Sequence, residues 1–135
     1  MISKTLASAG VLSLALTAVH VLGGGPDVHV PLLESNATDV LKGFVSVIWH
    51  AVTANLLICS AMLLIAAVNK TYRGLLTGLV LANYVAFMGL FLFYGITRLG
   101  SVLVMLPWIG FAAIIFVSVI GLTIDKKDSL DNAHP

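Results

Sequence analysis

Residues 43–69, GFVSVIWHAVTANLLICSAMLLIAAVN, hold no Asp, Glu, Lys or Arg. A helix needs about 20 mostly apolar residues to cross about 30 Å of hydrocarbon, and this run exceeds that length. Residues 5–26, 74–97 and 99–124 are equally free of charge. Of the 135 residues, 59% are hydrophobic and only 10% charged, against about 25% charged in soluble domains. The sequence therefore predicts an all-α integral membrane protein, a four-helix transmembrane bundle. It places a transmembrane domain at residues 1–124, with helices at about 5–22, 37–68, 74–97 and 101–124. A polar cytoplasmic tail, 125–135, follows.

The boundaries rest on local chemistry. Gly23-Gly24-Gly25-Pro26 reads as a helix stop, because Gly suits a C-terminal cap and Pro cannot continue a helix. Asp27-Val28-His29-Val30-Pro31 alternates polar and apolar, so an extended loop is expected as far as Asn36. Ser35 or Asn36 is then the cap of the second helix, with Asp39 in its first turn. Pro107 either kinks the fourth helix or marks its first turn. The first segment has the look of a signal peptide, with Lys4 and an apolar core. It runs on through Leu22, longer than the usual core of about 7–15 residues, which favours an uncleaved helix.

Cytoplasmic flanks carry an excess of Lys and Arg. Lys4, Lys70, Arg73, Lys126 and Lys127 fall on one side of a four-helix chain, Lys42 and Arg98 on the other. Both termini are therefore expected in the cytoplasm, the long first loop outside, and the membrane to be a bacterial inner or plasma membrane. Trp49 and Trp108 near the outer helix ends agree with this.

That orientation gathers His20, His29 and His50 at the outer face, and Trp49-His50 lies within the stretch Ser46–Thr53. Imidazole is a common ligand for Zn and Cu and an axial ligand for haem, so the three histidines are candidate ligands, with Met105 as a soft partner for Cu. Without a metal they are ordinary polar lining. Trp49, Thr53, Thr17, Tyr94 and Arg98 are candidate lining of an outward polar pocket. Gly10, Ser13, Thr17 and His20 share one helical face, and Ser46, His50, Thr53 and Ser60 another. Asn55 and Asn83, near mid-span, are expected to hydrogen-bond across helices. Gly74, Gly78, Ala82 and Gly89 form a small-residue row suited to helix packing.

Absences narrow the function. No Asp or Glu lies between Val40 and Ile124, which argues against a proton-coupled exporter and a di-iron carboxylate enzyme. The single cysteine, Cys59, excludes an internal disulfide. Scattered basic residues give no reason to expect nucleic acid. The leading expectation is a binding or accessory protein of the bilayer, joined to a partner or to its own copies through the small-residue rows. The alternatives are a metal- or haem-binding oxidoreductase or metal-handling protein and a carrier of lipid or small solute; no catalytic signature is present.

Overall fold

Ser3 opens the first helix, its Oγ accepting from the Leu6 N–H at 3.5 Å. The computed structural model of the chain describes residues 2–131, with side chains as far as Ile124. Helix α1 spans Lys4–Val19. It does not stop at Gly23–Pro26. It widens into a π-helical stretch, His20–His29, and tightens again into α2, Val30–Glu34. The extended loop expected from Gly23 to about Asn36 is thus replaced by continuous helix as far as Glu34. The Val30 N–H bonds to the Gly25 carbonyl, five residues back. Pro26 lies inside this stretch; it has no N–H to donate, and its ring crowds the preceding carbonyls of an α-helix. Local π adjustment is how membrane-length helices tolerate Gly and Pro.

The turn into α3, Asp39–Val68, is short. Ser35 closes it by donating to the Leu32 carbonyl at 2.7 Å. Thr38, rather than Ser35 or Asn36, is the cap, accepting from the Leu41 N–H at 3.3 Å. Asp39 follows in the first turn, where a carboxylate suits the positive end of the helix dipole. Helix α4, Arg73–Leu99, ends at Gly100, whose φ of +70° only glycine adopts freely. The Ser101 N–H then reaches back to the Gly95 carbonyl at 3.0 Å.

Helix α5 begins at Pro107, not at residue 101, because Pro fits the first helical position, where no N–H is needed. Trp108 Nε1 holds the preceding turn by donating to the Val102 carbonyl at 2.9 Å. The helix continues through Asp131, so the tail expected from residue 125 opens as helix. Its last part, 132–135 with His134, lies outside the described residues.

Among the described residues there is no strand, and four helices are long and apolar enough to cross a membrane. The first of them is the continuous Lys4–Glu34. The 30 residues of α3 measure about 45 Å at about 1.5 Å per residue, more than a hydrocarbon core needs.

Packing centres on α1. The Ser3 N–H bonds to the Ala67 carbonyl at 2.8 Å, Ser13 meets Ser60, and Gly10 lies against Leu64. Helix α3 therefore runs antiparallel to α1. Gly121 against Leu6 and Gly110 against Leu16 show the same for α5. A Cβ at Gly10, Gly110 or Gly121 would come within 3.0 Å of those leucines, so bare backbone is what allows the close approach.

A polar tie crosses the bundle. Ser13 of α1 bonds to Ser60 of α3 at 2.7 Å and to the hydroxyl of Tyr84 in α4, all three fully buried. Asn55 donates to Asn83 at 3.0 Å, and the buried Cys59 thiol lies 3.8 Å from the same oxygen. The row Gly74, Gly78, Ala82 and Gly89 is instead exposed, with open space around its glycines.

These two kinds of glycine predict opposite results. Gly10→Val forces a side chain into Leu64 and should cost about 1–3 kcal/mol, the usual effect of overpacking. Gly78→Val meets nothing within 4 Å and should leave stability unchanged. Unfolding of the two variants in mixed micelles reads the difference.

Candidate functional site, a cavity beside Trp49

At the end of the bundle away from Ser3 and Arg73, α3 presents Trp49 to the π-helical stretch. The Trp49 ring stacks on His20, with centroids 4.1 Å apart and planes 22° apart. It stacks on His29 as well, at 5.2 Å and 3°. Between these in sequence, Gly24 leaves the indole room: a Cβ there would lie 2.9 Å from the ring.

The π-helix explains how one indole meets both imidazoles. At 3.6 residues per turn, positions 20 and 29 stand two and a half turns apart, on opposite faces. A π-helix closes its turns one residue later. Nine residues then make about two turns, and His20, Gly24 and His29 come round to one side. The Gly-Gly-Gly-Pro sequence that read as a helix stop thus serves to align the two histidines.

Outside this stack, His29 Nε2 shares a hydrogen bond with Ser46 Oγ at 3.1 Å. His50 is exposed and meets His29 edge-on at 5.7 Å. Thr53 donates to the Trp49 carbonyl at 3.0 Å, and Thr17 to the Ser13 carbonyl at 2.9 Å. Both hydroxyls satisfy their own helices rather than a site. Tyr94 and Arg98 are exposed one turn apart on α4.

Beside the stack lies a half-open cavity of about 750 Å³. Helices α1, α3, α4 and α5 and the π-helical stretch all contribute. Leu16, Val45, Val52, Leu90 and Met105 supply aliphatic and thioether surface. Trp49, Phe87, Phe91, Tyr94 and Phe111 supply aromatic surface. Phe87 and Phe91 both stack on Phe111, at 5.5 and 6.0 Å. Tyr84 packs beneath Phe111 at 5.2 Å, which ties the cavity wall to the buried hydroxyl network.

No Asp, Glu, Lys or Arg lines the cavity, and of His20, His29 and His50 only His20 does. Its Nε2 is buried without a hydrogen-bond partner. The cavity is apolar; of the residues expected to line a polar pocket, Trp49 and Tyr94 line it, while Thr17, Thr53 and Arg98 do not. Of the aromatic wall, Phe87 shares a helical face with Asn83, Leu90 and Tyr94 in the sequence; Phe91 and Phe111 have no sequence signal of their own, since phenylalanines facing lipid would look the same.

Among the described residues, no three His, Cys, Asp or Glu side chains converge as a metal site. His20 and His29 each stack on the indole of Trp49, and His50 meets His29 alone, edge-on. Compared with family models, curated proteins and solved structures, the chain matches none.

Proposed function

We propose that this is a small integral membrane protein that binds a lipophile in the cavity beside Trp49. The supporting observation is the cavity itself, about 750 Å³ with an apolar and aromatic wall and no charge. Ligand pockets of about 300–1,000 Å³ take drug-sized molecules and are mostly apolar with few polar groups. A cavity of this kind inside a membrane-length bundle draws its ligand from the bilayer. The reading is a binding protein, with storage, delivery to a partner or exchange between leaflets as its uses.

The orientation in this reading follows the positive charges. Lys4, Lys70 and Arg73 mark the cytoplasmic side of a bacterial inner or plasma membrane, with Lys126 and Lys127. The cavity, near Lys42 and Arg98, then opens to the outer side. A second reading, that the chain joins a partner or its own copies, is favoured by the exposed row Gly74, Gly78, Ala82 and Gly89. Cross-linking in native membranes tests it: a strictly monomeric species without partner would remove it.

Titration of the purified protein with a radiolabelled ten-carbon probe tests the binding reading. Saturable binding at one probe per chain is expected. The double variant Val45→Trp, Leu90→Trp, which fills the cavity from α3 and α4, should abolish it. Non-saturable partition identical in wild type and variant would contradict the proposal.

A further inference from the structure

We infer that the head of the bound lipophile is an uncharged, flat, oxygen-bearing ring of the quinone or quinol class, with its hydrocarbon tail along the aliphatic wall. This rests on the binding reading above and adds the chemistry of the ligand.

Three observations carry it. First, no ionised side chain lines the cavity. A carboxylate or phosphate buried there would lose its hydration with no compensating charge, which selects against anionic heads. Second, the wall is built for rings. Trp49, Phe87, Phe91, Tyr94 and Phe111 all line the cavity, and flat aromatic groups gain from offset stacking beyond simple burial. An alkyl chain has no use for that geometry.

Third, His20 lines the cavity, and its Nε2 is buried with no hydrogen-bond partner. A buried polar group without a partner is costly, and a ligand atom that reaches it recovers the cost. A ring carbonyl accepts from the Nε2–H tautomer, and a ring hydroxyl donates to the other. The imidazole lies stacked on Trp49, with centroids 4.1 Å apart, and its Nε2 is covered. Contact with the ligand therefore turns the imidazole partly off the indole. Binding and the environment of Trp49 are coupled in this way.

The test uses the full chain in lipid nanodiscs and four probes that share a ten-carbon tail: a decyl benzoquinone, its quinol, 1-decanol and decanoate. Affinities come from equilibrium dialysis. The quinone and quinol are expected to bind about tenfold more tightly than decanol, the worth of about one aromatic pair. Decanoate should bind most weakly. His20→Phe keeps a ring on Trp49 but removes the nitrogen, and should weaken the quinone about three- to tenfold while leaving decanol within twofold. Thr123→Val, exposed on α5 towards its Gly121 end, serves as the unaffected control.

The outcomes separate the two claims. Equal affinity for all four probes, or a His20→Phe variant that binds the quinone as wild type does, overturns the ring assignment but keeps the lipophile site. Saturable binding of none of the four overturns both. Tightest binding of decanoate also overturns the ring assignment. A His20→Phe variant that misfolds is recognised by lost decanol binding, and His20→Leu, which also has no hydrogen-bonding group, then supplies the comparison, with the same three- to tenfold loss expected.

Discussion

Replacing Tyr84 with alanine is expected to destabilise the bundle by about 3–5 kcal/mol, the range for removing a large aromatic side chain from a core. Tyr84 is fully buried. Its ring stands 5.2 Å from that of Phe111, and its hydroxyl is bonded to Ser13. The alanine variant loses the ring contacts and the link from α4 to α1. Ser13 and Ser60 keep each other at 2.7 Å, and Ser60 keeps the Leu56 carbonyl at 2.8 Å, so neither serine is stranded. Most of the loss is therefore packing. Tyr84→Phe separates the parts: it keeps the ring and should cost about 0.6 kcal/mol, the average for hydrogen bonds between membrane helices, and no more than about 1.7. Reversible unfolding in mixed micelles gives both values. Equal losses for the two variants would show that the hydroxyl, not the ring, carries the effect.

Arg73→Met is expected to cost about 3 kcal/mol. Arg73 is buried at the start of α4 and donates from Nε to the Ala66 carbonyl and from Nη2 to the Ala67 carbonyl, both at 2.9 Å. These are end carbonyls of α3, which lack partners within the helix. A cation there also meets the negative end of the helix dipole. Hydrogen bonds to a charged group contribute about 1.5–3 kcal/mol each. The loss is less than twice that, because the Ser3 N–H still holds the Ala67 carbonyl at 2.8 Å. Methionine keeps much of the apolar stem, so the measured change belongs to the guanidinium. Lys at this position restores the charge but not the forked donor geometry, and should recover only part of the loss.

The helices were legible in the sequence because hydrocarbon imposes a length and excludes charge. Residues 43–69 announce α3 by both criteria. The boundaries were less legible where one residue type serves two ends. Pro107 suits a kink or a first turn alike, and it stands first in α5. Gly23–Pro26 has the pattern of a stop in helices whose freed carbonyls turn to water. Here the chain keeps those groups inside a wider helix, and nothing in the local sequence distinguishes the two outcomes. The consequence reaches the site. With a loop at residues 23–36, His29 had no fixed place. With a π-helix, it shares one face with His20 and both engage Trp49.

The candidate site was legible in its polar members and hidden in its apolar ones. Trp49, His20 and Tyr94 stand out in an apolar chain, and all three line the cavity. Phe91 and Phe111 line it too, but their one-dimensional pattern is that of any membrane helix. Only the packing around Tyr84 and the close approaches at Gly10, Gly110 and Gly121 decide which phenylalanines turn inward.

The central claim is that the cavity holds a lipophile, and native mass spectrometry of the protein released from its own membrane tests it most directly. The expected spectrum shows one non-covalent adduct per chain, of a single hydrophobic species, absent from the Val45→Trp, Leu90→Trp variant. A bare chain, or a graded series of ordinary bilayer lipids unchanged in that variant, would contradict the account.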